Sequence, residues 1–325
     1  MANKAQRDAY GEALVELGKV YENMFVLDAD LTKSTKTDGF KKAFPERHIN
    51  CGIAEGNMMS VAAGIASCGN IVFASTFAMF AAGRGFEQIR NSIAYPHNNV
   101  KIVATHAGLT VGEDGATHQC LEDIALMRSI PGMVVLAPSD AAQTKAAVKF
   151  AAEYDGPVYI RLGRLPLPMV NDENTYKFSL GQSDLVADGD FATVMFCGPF
   201  YSLAMEVRDI FAKNGLSIRV IDVPSIKPID KTAIMNAVEQ TKIIVTIEDH
   251  NVYGGLGSAV SDEIAALNIA GRKPGREIIK IGAQDKFGKS GSPADLLSAY
   301  GFDAVSIAQQ IVNAVCPEMS KDFKF

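Results

Sequence analysis

No run in this sequence is long and apolar enough to cross a bilayer, although hydrophobic residues make up 48% of it. That much apolar material without a span predicts a large buried core, and 325 residues favour two globular domains. Cysteine is scarce: Cys51, Cys68, Cys120, Cys197 and Cys316 are scattered, odd in number and without a C-x-x-C pair. This pattern predicts reduced thiols, not a disulfide framework or a zinc site. Positive charge is not in excess either. A net charge of −6 with both signs interspersed argues against a nucleic-acid surface and a polybasic membrane patch, so an anionic substrate would need a local basic site. Low-complexity tracts and short repeats are missing, which removes solenoids. Residues 3–21 carry Ala5, Ala9, Ala13, Leu14, Leu17 and Val20 at helical spacing between charges, not the apolar core of a secretion signal. The expected location is cytoplasmic.

What is present centres on residues 50–66, where a single carboxylate, Glu55, stands at the mouth of an apolar segment. Val61, Ala62, Ala63, Gly64, Ile65 and Ala66 leave no polar face, which predicts a buried, closely packed helix. Glu55 then has two readings. It is a first-turn acid stabilised by the positive end of its own helix, or a buried carboxyl group kept protonated to donate or exchange a proton.

Apolar runs at 24–28, 48–50, 71–75, 100–105, 133–138 and 158–161 read as strands, with helices between them at 55–66, 77–94, 121–127 and 141–154. The alternation predicts an α/β domain over 1–165 whose mostly parallel sheet is flanked by helices on both faces. In such sheets the loops at the carboxyl ends of strands, such as 28–34, carry ligands. The Leu165-Pro166-Leu167-Pro168 run and the polar tract 171–175 predict an interdomain linker over 166–186. Strand-like runs at 191–197, 217–223, 242–248 and 277–281, separated by helical stretches, predict a second α/β domain over 187–325.

The loop 105–119 holds His106 and His118, two of the five histidines, with Glu113, Asp114 and three glycines. Glycines let a backbone approach a ligand closely, and imidazoles exchange protons near neutral pH or hydrogen-bond sugar hydroxyls and phosphate. The alternative is a solvated loop whose histidines cap nearby helices. The spacing matches no familiar zinc or calcium pattern. Phe77 and Phe80 follow the buried strand, where most aromatics are core but a planar heteroaromatic ring could stack. The Tyr253–Ser258 glycines precede a helix whose N-terminus could bind an anion, yet they read better as a tight turn.

Gly52-Ile53-Ala54-Glu55, Ser75-Thr76-Phe77 and above all Gly112-Glu113-Asp114-Gly115-Ala116-Thr117-His118-Gln119 resemble the transketolase family. The resemblance is to its C-terminal half, a pyrimidine-binding domain followed by a smaller C-terminal domain, and extends over essentially the whole chain. The eight-residue loop is specific, whereas Gly-Ile-Ala-Glu is shared with 1-deoxyxylulose-5-phosphate synthase. The resemblance implies a thiamine diphosphate enzyme that moves a two-carbon ketol unit from a ketose phosphate to an aldose phosphate. It implies that Glu55 hydrogen-bonds N1′ of the aminopyrimidine and promotes the imino tautomer that deprotonates thiazolium C2. Phe77 and Phe80 match the ring-stacking pocket, but Ala74 stands where many members have an aromatic residue, which implies a looser pocket. His118 and Asp114 match contacts to substrate oxygens; His106, Arg161 and Ser34 match phosphate contacts, with Arg164 as rival to Arg161; Asp30 matches a contact near the thiazolium. A guanidinium fork suits a phosphate.

The family's Gly-Asp-Gly followed by paired asparagines, which holds the diphosphate through a divalent metal, is missing, and Asp188-Gly189-Asp190 does not replace it. The resemblance therefore implies a split enzyme. A separate N-terminal subunit would carry the diphosphate and Mg2+ or another divalent cation, and this chain would carry no metal site. The implied assembly is a heteromer on a two-fold dimer, with two copies of each chain. Two rival readings remain: half of a deoxyxylulose-phosphate synthase-like enzyme or the E1 beta subunit of a 2-oxo acid dehydrogenase, and a non-catalytic regulatory subunit with the same fold.

Overall fold

The structure is a computed structural model and describes residues 2–269, 277–321 and 323–325. Among these, seven strands form the first sheet in the order Ser225–Lys227, Val134–Leu136, Val158–Arg161, Val100–Thr105, Ile71–Phe77, Met24–Asp28, His48–Asn50. Every pair is parallel except that of Ser225–Lys227 with Val134–Leu136. The strands read as continuous apolar runs because both faces are covered. In Ile71–Phe77, Val72 and Ala74 face one cluster with Met58, Met59, Ile89 and Ile102, while Phe73 faces the other with Tyr10, Leu14, Val103 and Val148. Helices Gln6–Gly18 and Ala141–Glu153 pack together over the second face, and the latter starts on Asp140, whose side chain accepts from Gln143 N.

The second sheet runs Ile278–Ala283, Ile244–Asn251, Ala192–Phe196, Ile218–Asp222, Asp184–Ala187, parallel except for its last pair. One apolar cluster passes through the boundary between the two units, joining Ile130, Met133 and Val135 to Met195, Ile221 and Val223. Among the described residues no helix is long and apolar enough to cross a membrane.

Three expectations need correction. Residues 3–5 form a strand ahead of the first helix, paired antiparallel with Pro166–Pro168. The connector expected as a linker over 166–186 is thereby stitched at its start, and at its end it becomes the edge strand Asp184–Ala187. Finally, the strand expected to stop at Ser75 continues to Phe77, which pairs with Thr105, so the helical stretch starts later than Phe77. That stretch contains π-helical turns at Phe80–Arg84 and Ile89–Ala94, a geometry often found at functional sites.

Where the units meet, Asp222 Oδ2 accepts from Ser139 Oγ at 2.5 Å and Gln143 Nε2 at 2.8 Å, while Oδ1 is buried with no partner among the described residues. Burial first, with Asp184 and Asp140 adding to it, pushes this carboxyl from 3.8 up to about 8. The unfolded chain releases the proton near its ordinary value while the folded chain keeps it, so this group's contribution to stability falls as pH rises between those two values. Asp222→Asn removes the dependence. Its Tm relative to wild type is expected to increase from about pH 5 to about pH 8 in thermal melts at fixed ionic strength; a constant difference contradicts the buried, protonated Asp222.

Candidate active site

Parallel strands deliver their following loops to one edge, and most of the expected site residues lie along it. Met24–Asp28 leads to Asp30 and Ser34, His48–Asn50 to Glu55, Ile71–Phe77 to Phe80, and Val100–Thr105 to His106. Glu55 is the first residue of helix Glu55–Ser67 and is 3% exposed. Both of its carboxylate oxygens accept from Arg84 Nη1, at 3.2 and 3.3 Å. The Arg84 side chain is 55% exposed, and its guanidinium lies 4.4 Å from the Phe80 ring centroid.

The rings meet beside this pair. Phe77 stacks on His106 with centroids 3.9 Å apart and on Phe80 at 5.6 Å, and His118 meets Phe80 edge-on at 5.3 Å. Thr117 Oγ1 fixes His118 through Nδ1 at 2.9 Å. His106 has φ +58 and places Nδ1 2.9 Å from Thr105 Oγ1 and Nε2 3.4 Å from Arg7 Nη1. A guanidinium only donates, so Nε2 is the acceptor and the proton sits on Nδ1, donated to Thr105. Burial, then Arg7, Arg164 and His118, lowers the His106 imidazole to about 3. Of the two expected uses of these imidazoles, proton exchange or hydrogen bonding, the lowered value favours hydrogen bonding for His106.

Arg7, which sequence reasoning missed, stands in the first turn of helix Gln6–Gly18. Its Nη1 also donates to Ser34 O at 3.2 Å, and its Nε is buried with no partner among the described residues. Arg164 reaches the same neighbourhood: it donates to Val111 O at 2.6 Å, pairs with Glu113 at 3.3 Å and acts electrostatically on His106. Arg161 does not join them. It is 5% exposed, its Nε pairs with Asp123 at 2.9 Å, and its Nη2 donates to Asp249 O at 2.6 Å and Cys120 O at 3.3 Å. With Nε and Nη2 committed inside the protein, Arg161 has no free pair of neighbouring nitrogens to grip a phosphate as a fork. Asp114 is exposed on the loop and engages none of the other candidates. Asp30, at φ +61, accepts from Asn50 Nδ2 at 3.3 Å and lines, with Ser34, Lys33 and Lys41, a cavity of about 800 Å³ to which none of the clustered rings contributes.

Other expectations resolve through packing. Ala74 is fully buried between Leu27 and Ile102 in the sheet, so its small side chain enlarges no pocket at the edge. Gly108 and Gly115 approach the second domain instead of a ligand: a Cβ on either would overlap the Asp249 carboxylate or Ser290 Oγ. At the Tyr253–Ser258 turn, Glu248 takes the helix N-terminus itself, its oxygens accepting from Leu256 N at 2.6 Å and Gly257 N at 2.8 Å. Among the described residues, no group of three or more His, Cys, Asp or Glu is arranged to hold a metal.

The family model for the transketolase pyrimidine binding domain matches residues 2–169, and that for the transketolase C-terminal domain matches 181–307. A putative transketolase C-terminal section from Methanocaldococcus jannaschii is 47% identical over 320 residues, 98% of this chain and 98% of that protein. A 6-deoxy-6-sulfo-D-fructose transketolase subunit from Clostridium sp. is 36% identical, covering 93% of this chain and 92% of the relative. Among solved structures, one described as split gene transketolase, inactive beta4 tetramer, aligns with a TM-score of 0.86 and 47% identity over 97% of this chain and 99% of that chain. With both of its sheets matched and relatives of its own length, this chain belongs to the transketolase family and corresponds to that family's C-terminal section.

Proposed function

We propose that this chain is the C-terminal subunit of a two-chain, thiamine diphosphate-dependent transketolase. It would transfer a two-carbon ketol unit from a ketose phosphate to an aldose phosphate. One observation carries this reading: a single sheet edge holds a buried carboxylate beside ring faces and, a few residues away, a basic cluster with an orphaned guanidinium N–H. A buried donor without a partner is costly, and an anion is the natural group to satisfy it. The split relative that forms an inactive beta4 tetramer supports self-association of this chain and its dependence on a second one. A partner subunit would bring the diphosphate site and the divalent cation, with two copies of each chain in the assembly.

The residues present fit an aminopyrimidine. Glu55 is almost wholly buried, yet its side-chain partner is an exposed arginine. The Arg84 side chain faces solvent and can swing out without leaving its own charge buried, so a ring nitrogen can take its place on Glu55. Thiamine diphosphate, when bound, supplies the carbon nucleophile that takes up the ketol unit. Glu55 would hold the ring at N1′, Phe77 and Phe80 would give it a stacking surface, and Asp30 would lie toward the thiazolium. His118 and Asp114 would contact substrate hydroxyls. His106 would hydrogen-bond without changing charge, while Arg7, Arg164 and Ser34 would grip the phosphate. That basic cluster favours a phosphorylated polyol over a 2-oxo acid.

The purified chain with thiamine diphosphate and magnesium is expected to show no ketol transfer, and to gain it from ketopentose phosphate to aldose phosphate once a chain carrying Gly-Asp-Gly and paired asparagines is added. Turnover by the lone chain, or preference of the complex for pyruvate or branched 2-oxo acids, would overturn the reading. In the complex, Arg7→Met should raise KM for a phosphorylated ketose at least tenfold while barely changing that for its unphosphorylated analogue; equal effects on both remove Arg7 from the phosphate site. His106→Asn should lower kcat/KM yet leave its pH profile between about 6 and 8 unchanged in shape, because a histidine shifted below its ordinary value is neutral throughout that window. Loss of a limb of the profile would show that His106 titrates there.

A further inference from the structure

We infer that Asp249, from the domain that supplies none of the proposed chemistry, is a positioning residue for the loop that carries His106, Asp114 and His118. The inference rests on the reading of that loop as the substrate site. Strand Ile244–Asn251 carries Glu248-Asp249-His250 just before its last residue, each no more than 1% exposed. Ionisable side chains at that depth are expensive unless hydrogen-bonded. Glu248 is spent on its own domain's helix, but Asp249 is spent on the other domain. Its Oδ1 accepts from Leu109 N at 2.7 Å, and its Oδ2 accepts from Thr110 Oγ1 at 2.6 Å and Thr110 N at 3.2 Å. These charge-assisted bonds fix the short turn Leu109–Val111, which lies between His106 on one side and Asp114 and His118 on the other. Gly108, at φ +83, leaves the room in which the carboxylate sits.

The same residue also holds the loop's far end. Its main-chain oxygen accepts from Arg161 Nη2, which donates as well to Cys120 O, and Arg161 Nε pairs with Asp123 at the start of the next helix. The Asp249 side chain thus fixes the turn inside the loop, and its main chain braces the arginine that holds the loop's far end, while it contacts no candidate substrate group. Glu55, Phe77 and Phe80 stand on other elements and share no hydrogen bond with Asp249; the loop meets Phe77 and Phe80 through the rings of His106 and His118, while Glu55 is bonded to Arg84, off the loop. Disturbing Asp249 is therefore expected to separate substrate binding from cofactor binding, which a general loosening of the fold would not do.

Asp249→Asn and, as a milder change, Thr110→Val test this in the reconstituted two-chain enzyme and in the full chain alone. In the enzyme, KM for the ketose phosphate should rise tenfold or more for Asp249→Asn and about threefold for Thr110→Val, with thiamine diphosphate affinity by fluorescence titration within twofold of wild type. In the full chain alone, hydrogen exchange of residues 106–119 should accelerate while helix Glu55–Ser67 keeps its protection. If Asp249→Asn does not fold, Thr110→Val decides. Unchanged loop exchange, unchanged KM, or equal losses of substrate and cofactor affinity overturn the inference. A wild-type complex without ketol transfer defeats the functional reading instead, and leaves loop exchange to judge the clamp.

Discussion

A guanidinium buried between two domains has to be neutralised where it stands, and Arg161 meets that requirement with Asp123 beside it and two main-chain oxygens around it. The rest of the site is built on this arrangement. Asp123 also accepts from Tyr159 OH at 2.8 Å, so strand, loop end and helix start are bound to one carboxylate. Removing one member would strand a charge in the interior, a loss of several kcal/mol. The loop above can then be rigid without a metal or a disulfide. It is pinned from below by the second domain and leaves its histidines at the ring cluster.

On the cofactor side the forces are weaker. Glu55 is held by a helix start and by one arginine whose other face is wet. Burying both partners of an ion pair makes it hard to exchange, whereas leaving one in solvent keeps the pair replaceable. The contrast suits the two demands of the proposed function: a loop that would keep its shape around substrate, and a carboxylate that would accept a new partner from the cofactor.

The order of the central strands and helices was legible in the sequence because buried parallel strands read as unbroken apolar runs, and most of the residues expected to form a site fall along one edge because their loops share it; the short edge strands were not legible. Individual roles were less legible. Arg161 and Arg164 are three residues apart, and nothing in the spacing tells which ends in the interior; the buried acids that claim Arg161, Asp123 and Asp249, are distant in sequence. Arg7 resembles any solvated helix residue until Ser34 and His106 are folded against it. A short helix turn carrying Arg beside the buried Gln6 was the only local signal, and it is weak. The loop glycines were expected to let the backbone approach a ligand, whereas at Gly108 and Gly115 the approaching group is another domain's carboxylate or hydroxyl. Long-range partners decided each of these cases, and periodicity carries no information about them.

The strand Ser225–Lys227 belongs by sequence to the second unit and by hydrogen bonding to the first sheet, where it closes the edge against Val134–Leu136. A bare edge is an invitation to pair with foreign strands. Together with the shared apolar cluster at Met195 and Ile221, this exchanged strand means that neither unit can shift without baring sheet edge or apolar surface of the other. The second unit is therefore a fixed cap on the first sheet, not a domain swinging on a hinge.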